Sequence, residues 1–546
     1  MKHTMRPLFT LAAMLVVAQW AFCQQHDRHW MGKTWDQYKV VTMRFEEDSI
    51  SYQVTPEQSL IMIESGTIAM SDAAGELQFY TNGNVVVSWD HHIMQGGKGF
   101  NQGSVSDDFL NDPPWYSDPD TTYNTMYNPY TYRIIPDPYD GHIYYMVHAF
   151  VLYGELNCEQ LHIPKMQISK IDMSANGGRG KVVYKNRYFD EGFPGTSGFA
   201  LVRHGNGRDW WVVRQQYDGL AYHATLLYRD SVVQVVESGI PGLSTDWFDC
   251  EDWVTSTSNL LYASRDGSML VDNYGVGWAK LLSFDRCSGK VLLMDTFATG
   301  ITPLVVGNGD LVQTSPYTFE FSPSGHFLYG AGWAEFAQWD LEASDIATSK
   351  VKLGGIPWAL NDDQTVLVGS AGGFTAFAHG PDGRIYNLWR TAHSVIEYPD
   401  EPGEASGLCL AADYSPVSCL GPGVPYDLFS GRHPNFRLGP LTGSGCDTIL
   451  SSTKQPVAGS GYSVKASPTV ASGQVEVAIT LPSYGGHVTA EVQVVDMLGR
   501  VLHRHSFPPY AYLHTLDVSG WPAGLYNVVL LEGGRARAGA RLVVGK

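Results

Sequence analysis

Two acidic loops contain the side chains whose types and spacing could support binding or catalysis. The first loop spans residues 107–120 and the second spans 246–253. Carboxylates beside aromatic rings can bind Ca²⁺, or they can stack on a sugar and accept hydrogen bonds from its hydroxyl groups. The same composition also suits solvated loops whose aromatic rings pack locally. The candidate ligand-binding residues are Trp115, Asp118, Asp120, Asp246, Trp247, Asp249, Glu251 and Asp252.

Catalytic chemistry has no comparable signature in this chain. A glycosidase would need two carboxyl groups about 5 to 10 Å apart, and sequence does not supply that distance. The motifs G-x-S-x-G, H-E-x-x-H and the Walker loop are absent from the sequence. His91 and His92 are adjacent and would point to opposite faces of a strand, which makes a poor zinc site. We therefore assign no catalytic residue and no cofactor, and Ca²⁺ is the one ion considered.

Charge and composition limit the classes of molecule that this chain is expected to bind. The 546 residues include 36 Lys and Arg against 55 Asp and Glu, which gives a net charge of −19. Such an acidic chain repels phosphate backbones, so we expect no nucleic-acid binding. Apolar residues make up 44% of the chain, which excludes wholesale disorder.

One β-hairpin pattern repeats along the body of the chain. Six turns place a glycine after a polar residue and before an aromatic or aliphatic run, and each follows another strand-like run. Glycine suits such turns because it accepts a positive φ. No long stretch shows helical periodicity. The turn glycines are Gly75, Gly141, Gly207, Gly267, Gly325 and Gly383, spaced by 66, 66, 60, 58 and 58 residues.

A repeat near sixty residues favours a large β-propeller. A propeller blade of four strands needs about 40 to 50 residues, whereas an array of sandwiches would need about 90 to 100 per unit. Dividing the body by the repeat predicts about seven blades. Six hairpins are visible, so we expect the two ends of the body to build the seventh together.

Seven segments of the body together match a known family, and they are 66–72, 77–83, 204–213, 284–290, 319–325, 338–341 and 434–441. Through these segments the body resembles an uncharacterised propeller-like family of secreted proteins from gliding and related Gram-negative bacteria. The resemblance implies a fold and a secretion route but no reaction.

The two ends of the chain predict export. Lys2 and Arg6 precede an apolar run from Leu8 to Ala18, and Ala21 and Cys23 are the small residues of a signal-peptide cleavage site. No other segment is apolar enough to predict a transmembrane span.

An oxidising destination permits disulfides. The six remaining cysteines allow 15 pairings, and the close pair Cys409 and Cys419 is the first candidate for a local bridge. Several of these cysteines could instead be buried and free.

The C-terminal 85 residues predict a small antiparallel β-sandwich, because short alternating segments recur from Val475 to Val544. This region resembles the type IX secretion system type A C-terminal sorting domain, although Ser467 stands where that family usually has Asn. The resemblance implies recognition by the outer-membrane export machinery. Its motif residues here are Asp496, Gly499, Arg500, Gly524 and Tyr526.

The sequence therefore predicts an all-β protein with four parts. These are a signal peptide (1–23), a β-propeller-like body (24–446), a linker (447–461) and a sorting β-sandwich (462–546). The leading hypothesis is a secreted or outer-membrane cell-surface protein that binds a polysaccharide or a surface protein without catalysis. The alternatives are a glycoside hydrolase or lyase that uses loop carboxylates, and a structural component of a surface or motility apparatus.

Overall fold

The computed structural model describes most of the chain between residues 24 and 545. The described ranges are 24–34, 38–47, 49–63, 66–101, 131–153, 161–216, 219–241, 261–273, 277–300, 304–305, 311–313, 318–331, 335–354, 359–360, 367–368, 377–390, 392–411, 418–421, 424, 426–429, 431–446, 463–468, 470–480, 490–495, 501–507, 513–532 and 535–545. The predicted signal peptide, the predicted linker and both acidic loops lie outside them.

The chain divides into two compact units, the first ending at Asp447 and the second running from Thr448 to Lys546. Both units are all-β. Within the described ranges, the helical segments are three short 3₁₀ turns at Asn176–Gly178, Ala347–Ser349 and Gly403–Ser406. None of the described helices has the length and hydropathy needed to cross a membrane.

The first unit contains strands β1 to β31. The strands of its N-terminal half are β1 (His29–Thr34), β2 (Lys39–Phe45), β3 (Ile50–Gln58), β4 (Ile68–Ser71), β5 (Leu77–Thr81), β6 (Val85–Ser88), β7 (Ile93–Lys98), β8 (Tyr132–Pro136), β9 (Ile143–Tyr153), β10 (Leu161–Asp172), β11 (Lys181–Arg203), β12 (Trp210–Gln216), β13 (Ala221–Tyr228) and β14 (Ser231–Gly239). The strands of its C-terminal half are β15 (Tyr262–Ala263), β16 (Met269–Asn273), β17 (Trp278–Phe284), β18 (Val291–Ala298), β19 (Leu304–Val305), β20 (Leu311–Gln313), β21 (Thr318–Phe321), β22 (Phe327–Ala331), β23 (Phe336–Asp340), β24 (Val351–Gly354), β25 (Ala359–Leu360), β26 (Leu367–Val368), β27 (Ala378–His379), β28 (Ile385–Arg390), β29 (Ala392–Ile396), β30 (Leu408–Cys409) and β31 (Tyr426–Phe429).

Most consecutive strands of this unit pair in antiparallel sets of four, while β19–β20 and β25–β26 form two-stranded sheets. The sets are β4–β7, β8–β11, β11–β14, β15–β18, β21–β24 and β27–β30. The long strand β11 belongs to two sets, because its first part pairs with β10 and its last part pairs with β12. The N-terminal strands β1–β3 are completed by β31, which pairs antiparallel with β1 at Gly32 and Leu428.

The six predicted hairpins are confirmed. Each predicted turn joins the first two strands of one set, namely β4–β5, β8–β9, β11–β12, β15–β16, β21–β22 and β27–β28. Five of the six turn glycines have positive φ, between 72° and 87°, and Gly141 is the exception. The polar turn residues are structural as expected: Asp72 Oδ1 accepts from the Ala74 amide at 2.9 Å, and Asn206 Oδ1 accepts from the Arg208 amide at 3.0 Å.

The core of the first unit lies between neighbouring sets of strands. One cluster joins Tyr262 and Leu281 of β15–β18 to Phe319, Leu328 and Trp339 of β21–β24. Equivalent clusters join β11–β14 to β15–β18, and β21–β24 to β27–β30. Each sheet therefore covers a face of the next one, which removes apolar surface from water without a helical layer.

Two disulfides lie within the described residues. Cys409–Cys419 closes a local loop with a sequence separation of 10, which confirms the predicted pair. Cys287–Cys446 has a separation of 159 and was not distinguishable among the possible pairings.

The second unit is formed by two sheets that share one apolar core. Its strands are β32 (Ser463–Ser467), β33 (Val470–Ala471), β34 (Gln474–Thr480), β35 (Ala490–Val495), β36 (Val501–Phe507), β37 (Leu513–Asp517), β38 (Gly524–Glu532) and β39 (Arg535–Val544). One sheet has the order β32-β34-β37 and the other has the order β33-β39-β38-β35-β36. Val475, Val477 and Leu516 of the first sheet pack in one cluster with Val492 and Leu530 of the second.

Three histidines meet where β36 and β37 approach each other. The Nε2 atoms of His503 and His514 lie 3.1 Å apart, and the ring of His505 stacks on His514 with centroids 3.6 Å apart. Burial and the neighbouring His505 lower the pKa of His503. Burial, His505 and His503 lower the pKa of His514.

The histidine cluster predicts an acid-labile second unit. The lowered pKa values mean that the unfolded chain protonates first, so stability is complete above about pH 6.5 and is lost as the pH falls. Hydrogen exchange across β36 and β37, corrected for intrinsic rates, should accelerate between pH 7.5 and pH 5. The variant His514→Gln should reduce this acceleration. His92→Gln is the control, because it replaces an imidazole of the first unit whose side chain is 65% exposed. This variant should leave the acceleration of exchange across β36 and β37 unchanged. An unchanged acceleration in His514→Gln would contradict this assignment.

Candidate functional site

A polar cavity of about 100 Å³ lies where the first strands of several sets meet. The strands β8, β11, β15, β21 and β27 contribute side chains, and these strands belong to four sheets. A segment that follows β31, residues 431–446, contributes the remainder and is called the central segment below. The lining residues are Asp27, Arg133, Phe199, Ala200, Leu201, Val202, Arg203, Leu261, Tyr262, Ala263, Ser264, Arg265, Gly267, Glu320, Ala378, His379, Arg432, His433, Pro434, Asn435 and Leu438.

The central segment bonds to successive sheets along its length. The Arg432 guanidinium donates to Thr318 Oγ1 at 3.3 Å and to the Phe377 carbonyl at 3.1 Å. Asn435 Nδ2 donates to the Arg265 carbonyl at 2.6 Å. Further along, the Leu441 amide donates to the Gly205 carbonyl at 2.8 Å, and the Cys287–Cys446 disulfide fixes its end. The segment therefore holds the cavity lining to the strands around it.

A bidentate ion pair ties the N-terminus to the central segment. The two guanidinium nitrogens Nη1 and Nη2 of Arg437 donate to the Asp27 carboxylate at 2.6 and 2.8 Å. Burial alone would raise the pKa of Asp27, but the hydrogen bonds and the charge of Arg437 outweigh it and hold that pKa below its usual value. The negative charge of Asp27 is therefore balanced by the guanidinium of Arg437.

Glu320 is the second carboxyl group of the cavity, and its environment is different. Burial raises the pKa of Glu320 to about 7, and the charges of Arg432 and Arg265 offset burial only in part. His379 Nε2 lies 3.6 Å from Glu320 Oε1. Burial lowers the pKa of His379 to about 3, so the imidazole is uncharged at neutral pH and this contact is not an ion pair. Instead, His379 Nε2 donates to the Phe321 carbonyl at 2.9 Å.

Four arginines give the cavity a positive lining: Arg133, Arg203, Arg265 and Arg432. Burial and the nearby Arg286 charge lower the pKa of Arg203 to about 10. Burial followed by the charge of Arg437 lowers the pKa of Arg265. Arg432 stacks over the Tyr262 ring at 4.1 Å from its centroid. An acidic protein thus encloses a cationic centre.

The cavity was not predicted from the sequence, and the predicted ligand-binding residues lie elsewhere. Trp115, Asp118 and Asp120 fall in 102–130, and the group from Asp246 to Asp252 falls in 242–260, so all eight lie outside the described residues. One feature of the sequence could have indicated the cavity. Glu320 lies between Phe319 and Phe321, so strand alternation places its carboxyl group on the face opposite the two aromatic rings.

Of the predicted sorting motif, Asp496, Gly499 and Arg500 also lie outside the described ranges. Gly524 begins β38. Tyr526 is buried in the core of the second unit, and its hydroxyl donates to the Pro522 carbonyl at 2.7 Å. The contacts of Tyr526 are those of a structural residue.

His91 and His92 lie in the turn before β7. His91 Nδ1 is 3.3 Å from the Tyr80 hydroxyl, and His92 Nδ1 is 2.9 Å from the Asp90 carbonyl. Over the part of the chain that the structure describes, no group of three or more His, Cys, Asp or Glu side chains has metal-binding geometry.

Comparison with known proteins identifies no family: no protein-family pattern and no curated protein matches the chain. Solved structures with related strand arrangements include the β-propeller domain of Cps50 (Swd1) from Myceliophteria thermophila, at 8% identity over 66% of this chain and 93% of that one, with a TM-score of 0.33. PorZ, a surface component of the type IX secretion system of Porphyromonas gingivalis, is 10% identical over 93% of this chain and 69% of its own, with a TM-score of 0.25. The extracellular domain of BT4673 from B. thetaiotaomicron is 10% identical over 95% and 57%, with a TM-score of 0.33.

The Asp27–Arg437 pair predicts a large stability loss when one partner is removed. Arg437→Met leaves a buried carboxylate without its counter-ion and should cost about 3–5 kcal/mol. Denaturant unfolding, with the midpoint and slope both measured, checks this value. The matched control is Arg187→Met, because Arg187 also pairs with an aspartate, Asp230, but the two side chains are 49% and 29% exposed. That control should cost no more than about 1 kcal/mol. Equal losses in both variants would contradict the assignment.

Proposed function

We propose that this chain is an exported cell-surface protein whose first unit is a seven-bladed β-propeller that binds a ligand without catalysis. The antiparallel sets of four strands and the completion of β1–β3 by β31 support the blade count. The N-terminal signal and the resemblance of the C-terminal region support delivery through the type IX secretion machinery. On this proposal, the two sheets of the second unit form the sorting β-sandwich, and the protein resides at the outer-membrane surface or is released.

The residues that line the cavity support binding without catalysis. A glycosidase needs two carboxyl groups with separate roles, one as acid and one as base or nucleophile. The described lining offers Glu320 with a raised pKa, but Asp27 is held by Arg437 and is not available as its partner. Four arginines around one available carboxyl group suit recognition of a charged ligand better than cleavage of a glycosidic bond.

Glu320 also supports the alternative, an enzyme that acts on a polysaccharide. A carboxyl group whose pKa lies at about 7 can serve as a general acid at neutral pH. Its partner would have to come from an acidic loop, and the candidates there are Asp246, Asp249, Glu251 and Asp252. Product analysis on every bound polysaccharide separates the two functions, because an enzyme releases shortened chains and a binding protein does not.

Glycan-array binding of the purified chain from residue 24 onward, with and without Ca²⁺, tests the proposed function. We expect saturable binding to a subset of glycans. The loop variants Asp246→Ala and Trp247→Ala should weaken it at least tenfold if the acidic loop adds contacts beside the cavity. Trp278→Ala is the matched control, because it removes an indole that is 47% exposed on β17. A blank array in both conditions would count against a sugar ligand.

A further inference from the structure

The positive charge of the cavity cannot be relieved by loss of protons, because it resides on arginines. Arg265 has no ion pair with any described residue, and its guanidinium lines the cavity. The Arg203 guanidinium donates to Gln24 Oε1 at 3.0 Å and to the Gly207 carbonyl at 3.3 Å, and both acceptors are neutral. Neutral acceptors satisfy hydrogen bonds but supply no counter-charge.

The two carboxyl groups in the described lining supply only part of that counter-charge. Asp27 is neutralised by Arg437, which brings its own positive charge to the same region. Glu320 is one carboxyl group among four arginines, and burial opposes its ionisation. Because pairing stabilises a buried cation, and the described lining holds more arginines than available carboxylates, the cavity favours the entry of an anion.

The size and donors of the cavity specify what kind of anion fits. A volume of about 100 Å³ is smaller than the roughly 150 Å³ cavity that holds a benzene molecule. It therefore suits one small charged group of a ligand rather than the whole of a polymer segment. Guanidinium groups pair with carboxylate and phosphate oxygens through parallel N–H donors.

We propose that the cavity is an oxyanion site in which Arg265 and Arg432 bind the carboxylate or phosphate group of the ligand. This inference rests on the proposed function, since it takes the cavity as a binding site. It adds the chemical class of the group that enters. Arg432 belongs to the central segment, and Arg265 belongs to the turn after β15. One carboxylate or phosphate group of the ligand would therefore bridge two parts of the unit that are far apart in sequence.

Glu320 makes this site sensitive to pH. While it is ionised, Glu320 competes with the ligand for Arg265 and Arg432. Its protonation removes that negative charge and leaves a donor that can hydrogen-bond the anion. Anion affinity should therefore rise as the pH falls through 7, and by linkage the bound anion should raise the pKa of Glu320 further. Above pH 7 the expected loss is about tenfold per pH unit.

Isothermal titration of the chain from residue 24 onward with acetate, glucuronate and inorganic phosphate, at pH 6, 7 and 8, tests the inference. We expect saturable binding of at least one of these anions. Binding of acetate and glucuronate, whose charge is constant over this range, should weaken from pH 6 to pH 8. A preference for acetate and glucuronate identifies a carboxylate ligand, and a preference for phosphate identifies a phosphorylated one. Arg265→Gln should weaken binding at least tenfold. Arg179→Gln should not change it, because Arg179 lies on a surface ion pair.

The pH dependence gives a second readout that does not depend on Arg265→Gln folding. Glu320→Gln should bind at pH 8 as tightly as the unaltered chain binds at pH 6, with a flat profile between them. Glu342→Gln is the control, because that carboxylate is 76% exposed. Absence of binding by all three anions at pH 6 would overturn the inference, as would equal losses in Arg265→Gln and Arg179→Gln. A positive glycan array without anion binding overturns this inference alone, and the proposed function stands.

Discussion

The pairing of β1 with β31 is the contact on which the first unit depends. A row of packed sheets has two exposed ends, each with unpaired backbone groups and an apolar face. The pairing through Gly32 and Leu428 joins the start of the unit to its end and leaves neither end open. Gly32 is required there, since a Cβ on it would lie 2.4 Å from the Asp427 carbonyl oxygen. The central segment begins just after β31, so the same closure also sets where the cavity lining starts.

Closure explains how an acidic chain can hold arginines in its interior. The net charge of −19 is a property of the whole sequence, while the cavity draws on residues that only the fold brings together. Arg133, Arg203 and Arg265 belong to three different sets of strands and face the same space. Acidic surroundings lower the energy of the enclosed cations, although they also slow the approach of an anion from solution.

The sequence predicts the features of this fold that depend on neighbouring residues. It does not predict contacts between residues that are far apart in the chain. The hairpin turns depend on neighbouring residues and on glycine, so Gly75 and Gly207 reveal them directly. Cys409 and Cys419 were predicted as a pair because a separation of 10 residues limits the choices. Cys287–Cys446 and Asp27–Arg437 have separations of 159 and 410, and nothing in the local sequence relates their members. The cavity consists of contacts of the second kind, so it was missed while the hairpins around it were predicted.

The distance between Asp27 and Arg437 in the chain has a consequence for biogenesis. Strand β1 pairs with β2 nearby in the chain, but the partner of its other edge, β31, and the ion-pair partner of Asp27 lie about 400 residues later. During that interval β1 presents a bare strand edge with Trp30 and Met31 beside it, two residues that end almost completely buried. Long-range pairing of this kind makes folding slow and leaves nascent chains prone to aggregate. The free edge of β1 is therefore covered only after β31 has been synthesised.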